Sequence, residues 1–178
     1  MTISAAAWDY VRQRAEFACE YCGVTETDTG GQLTVDHFQP RACGGTEAPE
    51  NLLYCCHRCN LYKADYWPTP PSDVGLLNPR REPMETHLLR LADGTLHPIT
   101  ATGRFTLKRL RLNRPPLVAY RLRLQTRAEE LRLLTRYRQM VASLEQLQRQ
   151  QAELLEEHHA LLEEQRALLQ LLLRNPGE

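Results

Sequence analysis

At 178 residues, with 25% charged and 42% hydrophobic side chains, the chain has the composition of an ordinary folded protein and room for one compact domain plus an extension. The N-terminal stretch carries charges where a signal peptide needs its apolar core, and no run of about 18 apolar residues occurs; the expectation is a cytoplasmic protein with no membrane partner. The formal net charge of zero conceals a layout, with 5 basic and 10 acidic side chains in residues 1–79, 14 and 5 in residues 80–138, and 3 and 7 in residues 139–178. The basic middle is almost entirely Arg, which grips phosphate bidentately, although a solvated Arg-rich surface gives the same count.

Ser4 is placed to cap a helix running to about Phe17, with Ala7, Trp8, Val11, Ala15 and Phe17 as apolar positions, and the knuckle Cys19-Glu20-Tyr21-Cys22-Gly23 follows directly. Leu33 to Phe38 has β-type residues, Asn51 to Tyr54 is a second short strand, and the loop PRACGGTEAPE lies between them. From Cys56 the run CHRCNLYKADYW suits a short helix that the Pro-rich stretch Trp67 to Pro71 ends. Residues 72–114 read as a mixed satellite region, with a turn at Asp93-Gly94, a strand over Thr95–Ile99 and a short helix over Gly103–Leu112.

From Leu117 to Arg174 there is neither Gly nor Pro; Pro115-Pro116 suits the first turn of a helix and Asn175-Pro176-Gly177 its end. With Leu133, Met140, Leu147, Leu154, Leu161 and Leu168 at heptad d, the a positions are Tyr137, Leu144, Gln151, His158, Gln165 and Leu172, so d is apolar throughout and a is half polar. Leu134, Val141, Leu155, Leu162 and Leu169 widen the stripe, which allows a homodimer through residues 115–174, a larger bundle, or packing onto the body.

Cys19-x2-Cys22 and Cys56-x2-Cys59, separated by 33 residues, make a tetrahedral all-cysteine zinc site, closed to substrate and therefore structural. Cys55 is an alternative to Cys56, but Cys56 keeps the two-residue bite, and Cys43 stands outside the set. In a reducing compartment such pairs bind metal rather than form disulfides. Within that frame lie Asp36-His37 at the end of one strand and Asn60 just after the last cysteine. Asp and Asn offer hard oxygen ligands for a divalent ion such as Mg²⁺ or Mn²⁺, and a neighbouring His takes a proton near neutral pH, a set of groups suited to phosphodiester hydrolysis. Arg41 on the following loop and Lys63 about one helical turn after Asn60 are candidate phosphate contacts. His87 and His97 fall outside this constellation.

The stretches CEYCG and LTVDHFQPRACGGTEAPENLLYCCHRCNLYK resemble the zinc-containing HNH endonucleases, over roughly residues 19–63. The resemblance implies a zinc-stabilised ββα-metal core; with the charge layout and the heptad run, the expected fold is α+β, with that core and the N-terminal helix in residues 1–70, a basic satellite in 71–114 and a long coiled-coil-like helix in 115–174. The resemblance also implies His37 as general base, Asn51 as the Asn that braces the loop, and Asp36 and Asn60 as ligands of the catalytic ion, with DNA as substrate and a 5′ phosphate and 3′ hydroxyl as products. Asn60 stands where the nominal pattern has its last His. Two other readings are a catalytically silent zinc module that binds nucleic acid, and a coiled-coil adaptor with a cysteine-stabilised head; the second leaves Asp36, His37 and Asn60 unexplained.

Overall fold

The computed structural model describes residues 3–68 and 74–174. The first helix, α1 (Ala5–Arg14), starts where Ser4 Oγ accepts the Ala7 amide at 3.1 Å. It stops three residues short of Phe17, because Glu16 and Phe17 turn to φ 51° and 59° and swing the chain into the cysteine knuckle. A single turn, α2 (Glu26–Thr29), follows, closed by a reciprocal cap between Thr25 and Asp28.

Two strands, β1 (Thr34–His37) and β2 (Leu52–Cys55), pair antiparallel with Thr34 opposite Cys55 and His37 opposite Leu52. All four residues of β2 are buried. Tyr54 explains much of this: its ring meets Trp8 edge-on at 6.0 Å, its hydroxyl donates to Glu26, and the Leu33 amide donates to that hydroxyl. Next comes α3 (His57–Lys63), whose N-cap is Cys56; the Cys56 sulfur accepts the Cys59 amide at 3.4 Å. The order strand, loop, strand, helix expected from the sequence is the order observed. The Pro70-Pro71 part of the predicted helix stop lies outside the described residues.

In the satellite region, β3 (Leu88–Arg90) pairs antiparallel with β4 (Leu96–Pro98) around a turn at Gly94, where φ is +77°. The sequence pointed to β4 but not to β3. Helix α4 (Ala101–Arg109) begins two residues before its expected start, because Thr100 caps the Gly103 amide at 3.0 Å. Leu76, Leu88, Leu96, Leu110, Leu112 and Leu117 join Val11, Tyr21, Leu52, Leu53 and Tyr54 in one buried cluster. Each such side chain withdrawn from water contributes about 1.5–3 kcal/mol.

The last helix, α5 (Pro115–Arg174), runs unbroken for 60 residues. Its predicted terminator, Asn175-Pro176-Gly177, lies outside the described residues, as does the side chain of Leu172. The first turns of α5 are fixed by Arg121, 3% exposed, which donates to the carbonyls of Gly94 and Leu112 at 2.5 and 3.0 Å. By compactness the chain divides into two units between Gln125 and Thr126. Among the described residues, no helix is long and apolar enough to cross a membrane.

Candidate metal centre and hydrolytic site

The sulfurs of Cys19, Cys22, Cys56 and Cys59 all lie within 4.8 Å of one another. Tetrahedral zinc with sulfur at about 2.3 Å requires sulfurs about 3.8 Å apart, and Cys22 and Cys56 stand at 3.7 Å. The cluster therefore fits zinc, and it uses Cys56; Cys55 is buried in β2. The four clustered thiols compete for protons. Hydrogen bonds from Cys22 and its neighbours push the Cys19 thiol down, while those same bonds and burial push Cys22 and Cys59 up. A divalent cation removes this conflict by favouring thiolate at all four positions.

Arg114, just before α5, brings Nη2 to 3.9 Å from the Cys59 sulfur and 4.0 Å from that of Cys56. Burial works against its charge, but the attraction of the Cys59, Cys22 and Cys56 sulfurs prevails and raises its pKa. Inside the first knuckle, Glu20 has a side chain 7% exposed and is engaged on several sides. It accepts the Tyr54 amide at 2.7 Å and faces Arg14 at 3.5 Å and Arg80 at 2.9 Å. Sequence reasoning passed over both Arg114 and Glu20; an acid between two ligating cysteines was the one available signal.

The residues expected from the sequence to serve hydrolysis lie on β1 and α3. Thr34 and Asp36 alternate onto one side of β1, and each meets α3. Asn60 Nδ2 donates to Thr34 Oγ1 at 3.3 Å, and Lys63 Nζ lies 2.9 Å from Asp36 Oδ2. A two-residue step along the strand thus matches a three-residue step along the helix, so Asp36 and Asn60 share the β1–α3 interface. Asp36 Oδ2 is buried and has the Lys63 ammonium as its counter-charge. The carboxylate and the Asn60 amide are together hard oxygen donors of the kind a divalent ion takes.

Lys63 departs from its expected role as a surface phosphate contact. It is 1% exposed, and its ammonium also donates to the His37 carbonyl at 2.6 Å. A side chain so enclosed offers phosphate no surface; it instead ties the end of β1 to α3. The chain just beyond it is strained, with Ala64 at φ 50° and ψ −151°.

His37, the last residue of β1, presents its imidazole to the loop that follows. Nε2 lies 3.3 Å from Glu47 Oε1 and 3.3 Å from Arg41 Nε, and Arg41 is also paired with Glu47. The two contacts demand opposite states of one nitrogen, since Arg41 needs its lone pair and Glu47 its proton. The Glu47 carboxyl is pushed up by desolvation, but hydrogen bonding and charge from Arg41 outweigh this and hold it below the usual range.

The loop itself is folded around Asn51. Its Oδ1 accepts the Gln39 amide at 2.8 Å, and its Nδ2 donates to the carbonyls of Gln39 at 3.1 Å and Thr46 at 2.8 Å. Gly45 permits this closure, because a Cβ there would stand 1.8 Å from the Gln39 oxygen.

Residues 19–65 match the family described as HNH endonuclease. A stretch of 63 residues is 41% identical to part of the CRISPR-associated endonuclease Cas9 of Corynebacterium diphtheriae, covering 34% of this chain and 6% of that protein. No solved structure gives a significant match.

Proposed function

We propose that the chain is a metal-dependent endonuclease that hydrolyses DNA phosphodiester bonds, with Asp36 and Asn60 holding a divalent ion such as Mg²⁺ or Mn²⁺ and His37 as general base. One observation carries the reading: Asp36 and Asn60, a carboxylate and an amide that offer hard oxygen donors, both line the β1–α3 interface inside a segment similar to HNH endonucleases. When bound, such an ion supplies Lewis-acid stabilisation of charge on the phosphate and the leaving oxygen. Lys63 orients the Asp36 carboxylate and, through the His37 carbonyl, the backbone that carries the base.

His37 takes the proton of the attacking water at Nε2. While Arg41 donates to that nitrogen its lone pair is occupied; a substrate phosphate that draws Arg41 away releases it, which gives Arg41 a place in nucleic-acid binding. Once protonated, Nε2 donates to Glu47 Oε1. Asn51 keeps the loop that carries Arg41 and Glu47 closed. A zinc ion on the four cysteines holds β2 and α3 in place and has no part in the chemistry. Six unpaired thiols, four of them a metal set, favour a reducing, cytoplasmic setting.

The test is supercoiled plasmid incubated with the zinc-loaded protein, with and without added Mg²⁺ or Mn²⁺. Wild type nicks only when the ion is added, and His37→Ala slows nicking by about 10²-fold or more, with its zinc content unchanged. Zinc and DNA binding with no cleavage under any ion would instead establish the silent binding module.

A further inference from the structure

We propose that two copies of this chain pair antiparallel through residues 131–171 of α5. Leu133, Leu134, Tyr137, Met140, Leu144, Leu147, Leu154, Leu155, Leu161, Leu162, Leu168 and Leu169 are each at least 42% exposed. That stripe is far more apolar surface than the few hundred Å² in one patch that soluble monomers present. A complementary helix is needed, and this helix carries its own complement.

Charge along the helix is divided. Residues 131–149 hold four arginines and one glutamate, whereas residues 150–171 hold five glutamates and one arginine. A parallel, in-register pair sets Arg against Arg at one end and Glu against Glu at the other. Reversal of one copy lays each basic half beside an acidic half.

The flanks of the seam favour the same orientation independently. Heptad e is occupied by Leu134, Val141, Gln148, Leu155, Leu162 and Leu169, whereas g holds Arg136, Ser143, Gln150, Glu157, Glu164 and Leu171. Parallel helices set e against g, which forces leucines onto charges. Antiparallel helices set e against e and g against g, giving one apolar flank and one polar flank. In the register centred on Gln148 and Gln150, Leu134 meets Leu162, Val141 meets Leu155, and Arg136 meets Glu164. By chain order alone, the segments preceding α5 then leave the pair at opposite ends.

The experiment uses the full chain with Cys43→Ser, which removes the exposed thiol, and Thr135→Cys, which places a spin label at outward-facing heptad f. Sedimentation should show a dimer. Opposed helices place residue 135 of one copy beside residue 163 or so of the other, so the labels stand about 40 Å apart at a rise of about 1.5 Å per residue. Mixing Arg136→Glu with Glu164→Arg chains should restore association that Arg136→Glu alone weakens. A label separation near 20 Å would overturn the orientation, and a monomer at about 50 µM would overturn the pairing.

Discussion

Lys63 combines a charge with near-complete burial, and its partners define its task. Its ammonium faces Asp36 at 2.9 Å and the His37 carbonyl at 2.6 Å. Lys63→Met should leave the Asp36 carboxylate without its counter-charge. Breaking a buried pair on one side costs on the order of 3 kcal/mol, and the 18% exposure of Asp36 recovers part of that through water. The expected result is a fall in urea-unfolding stability of about 2 kcal/mol, partly recovered in the double variant with Asp36→Asn. A surface phosphate contact would behave differently, with an unchanged urea midpoint and weaker DNA binding. This distinction was beyond the sequence, because three residues after Asn60 the helix turns inward or outward according to what β1 presents. By contrast, the four-cysteine cluster was legible from spacing alone, since each short-bite pair presents two sulfurs to one point.

Between elements, the corner joining α1, α2 and β2 depends on one carboxylate. Arg12 grips Glu26 with two hydrogen bonds, of 2.6 and 2.7 Å, and the Tyr54 hydroxyl donates to the same group. The hydrogen bond from Arg12, then that from Tyr54, holds the Glu26 pKa at about 2. A carboxyl whose folded pKa lies below its unfolded value adds stability that is complete above the ordinary carboxylate range. That stability is lost as the pH falls through that range toward the folded value. Glu26→Gln should therefore unfold at lower urea than wild type at pH 7, and the gap should close as the pH is lowered from about 5 toward 2. Taking the difference between the two proteins removes the thiolate protonation common to both; a gap that persists at low pH would show that Glu26 acts through packing. The sequence signalled α1 and β2 of this corner but neither α2 nor the clasp, because residues 12, 26 and 54 meet only once the chain has folded back on itself.

At the scale of the molecule, the satellite region is tied to the cysteine core more closely than the composition boundary suggested. Leucines 76, 110 and 112 sit on irregular stretches and Leu88 on a three-residue strand, with no helical or strand period, while Leu117 lies in the first turn of α5; nothing in the sequence announced that they share a core with Val11 and Tyr54. Arg114 adds a polar link to the cysteine sulfurs from the far end of the same region, and Tyr120 on α5 donates to the Gly23 carbonyl at 2.9 Å inside the first knuckle. A zinc ion would thus stabilise contacts made by residues as distant in sequence as Cys19 and Tyr120. A chain ending at Gln125 keeps every one of these contacts and loses only the exposed stripe. It should bind one zinc per chain and retain the far-UV signature of the short helices. Removal of zinc by a chelator should unfold the satellite together with the knuckles in one transition, because apparent zinc binding energies of about 10 kcal/mol or more exceed what a core this small supplies alone. Two separate transitions, with Trp8 fluorescence responding to the chelator while the β3–β4 amides stay protected from exchange, would show instead that the satellite stands without the metal.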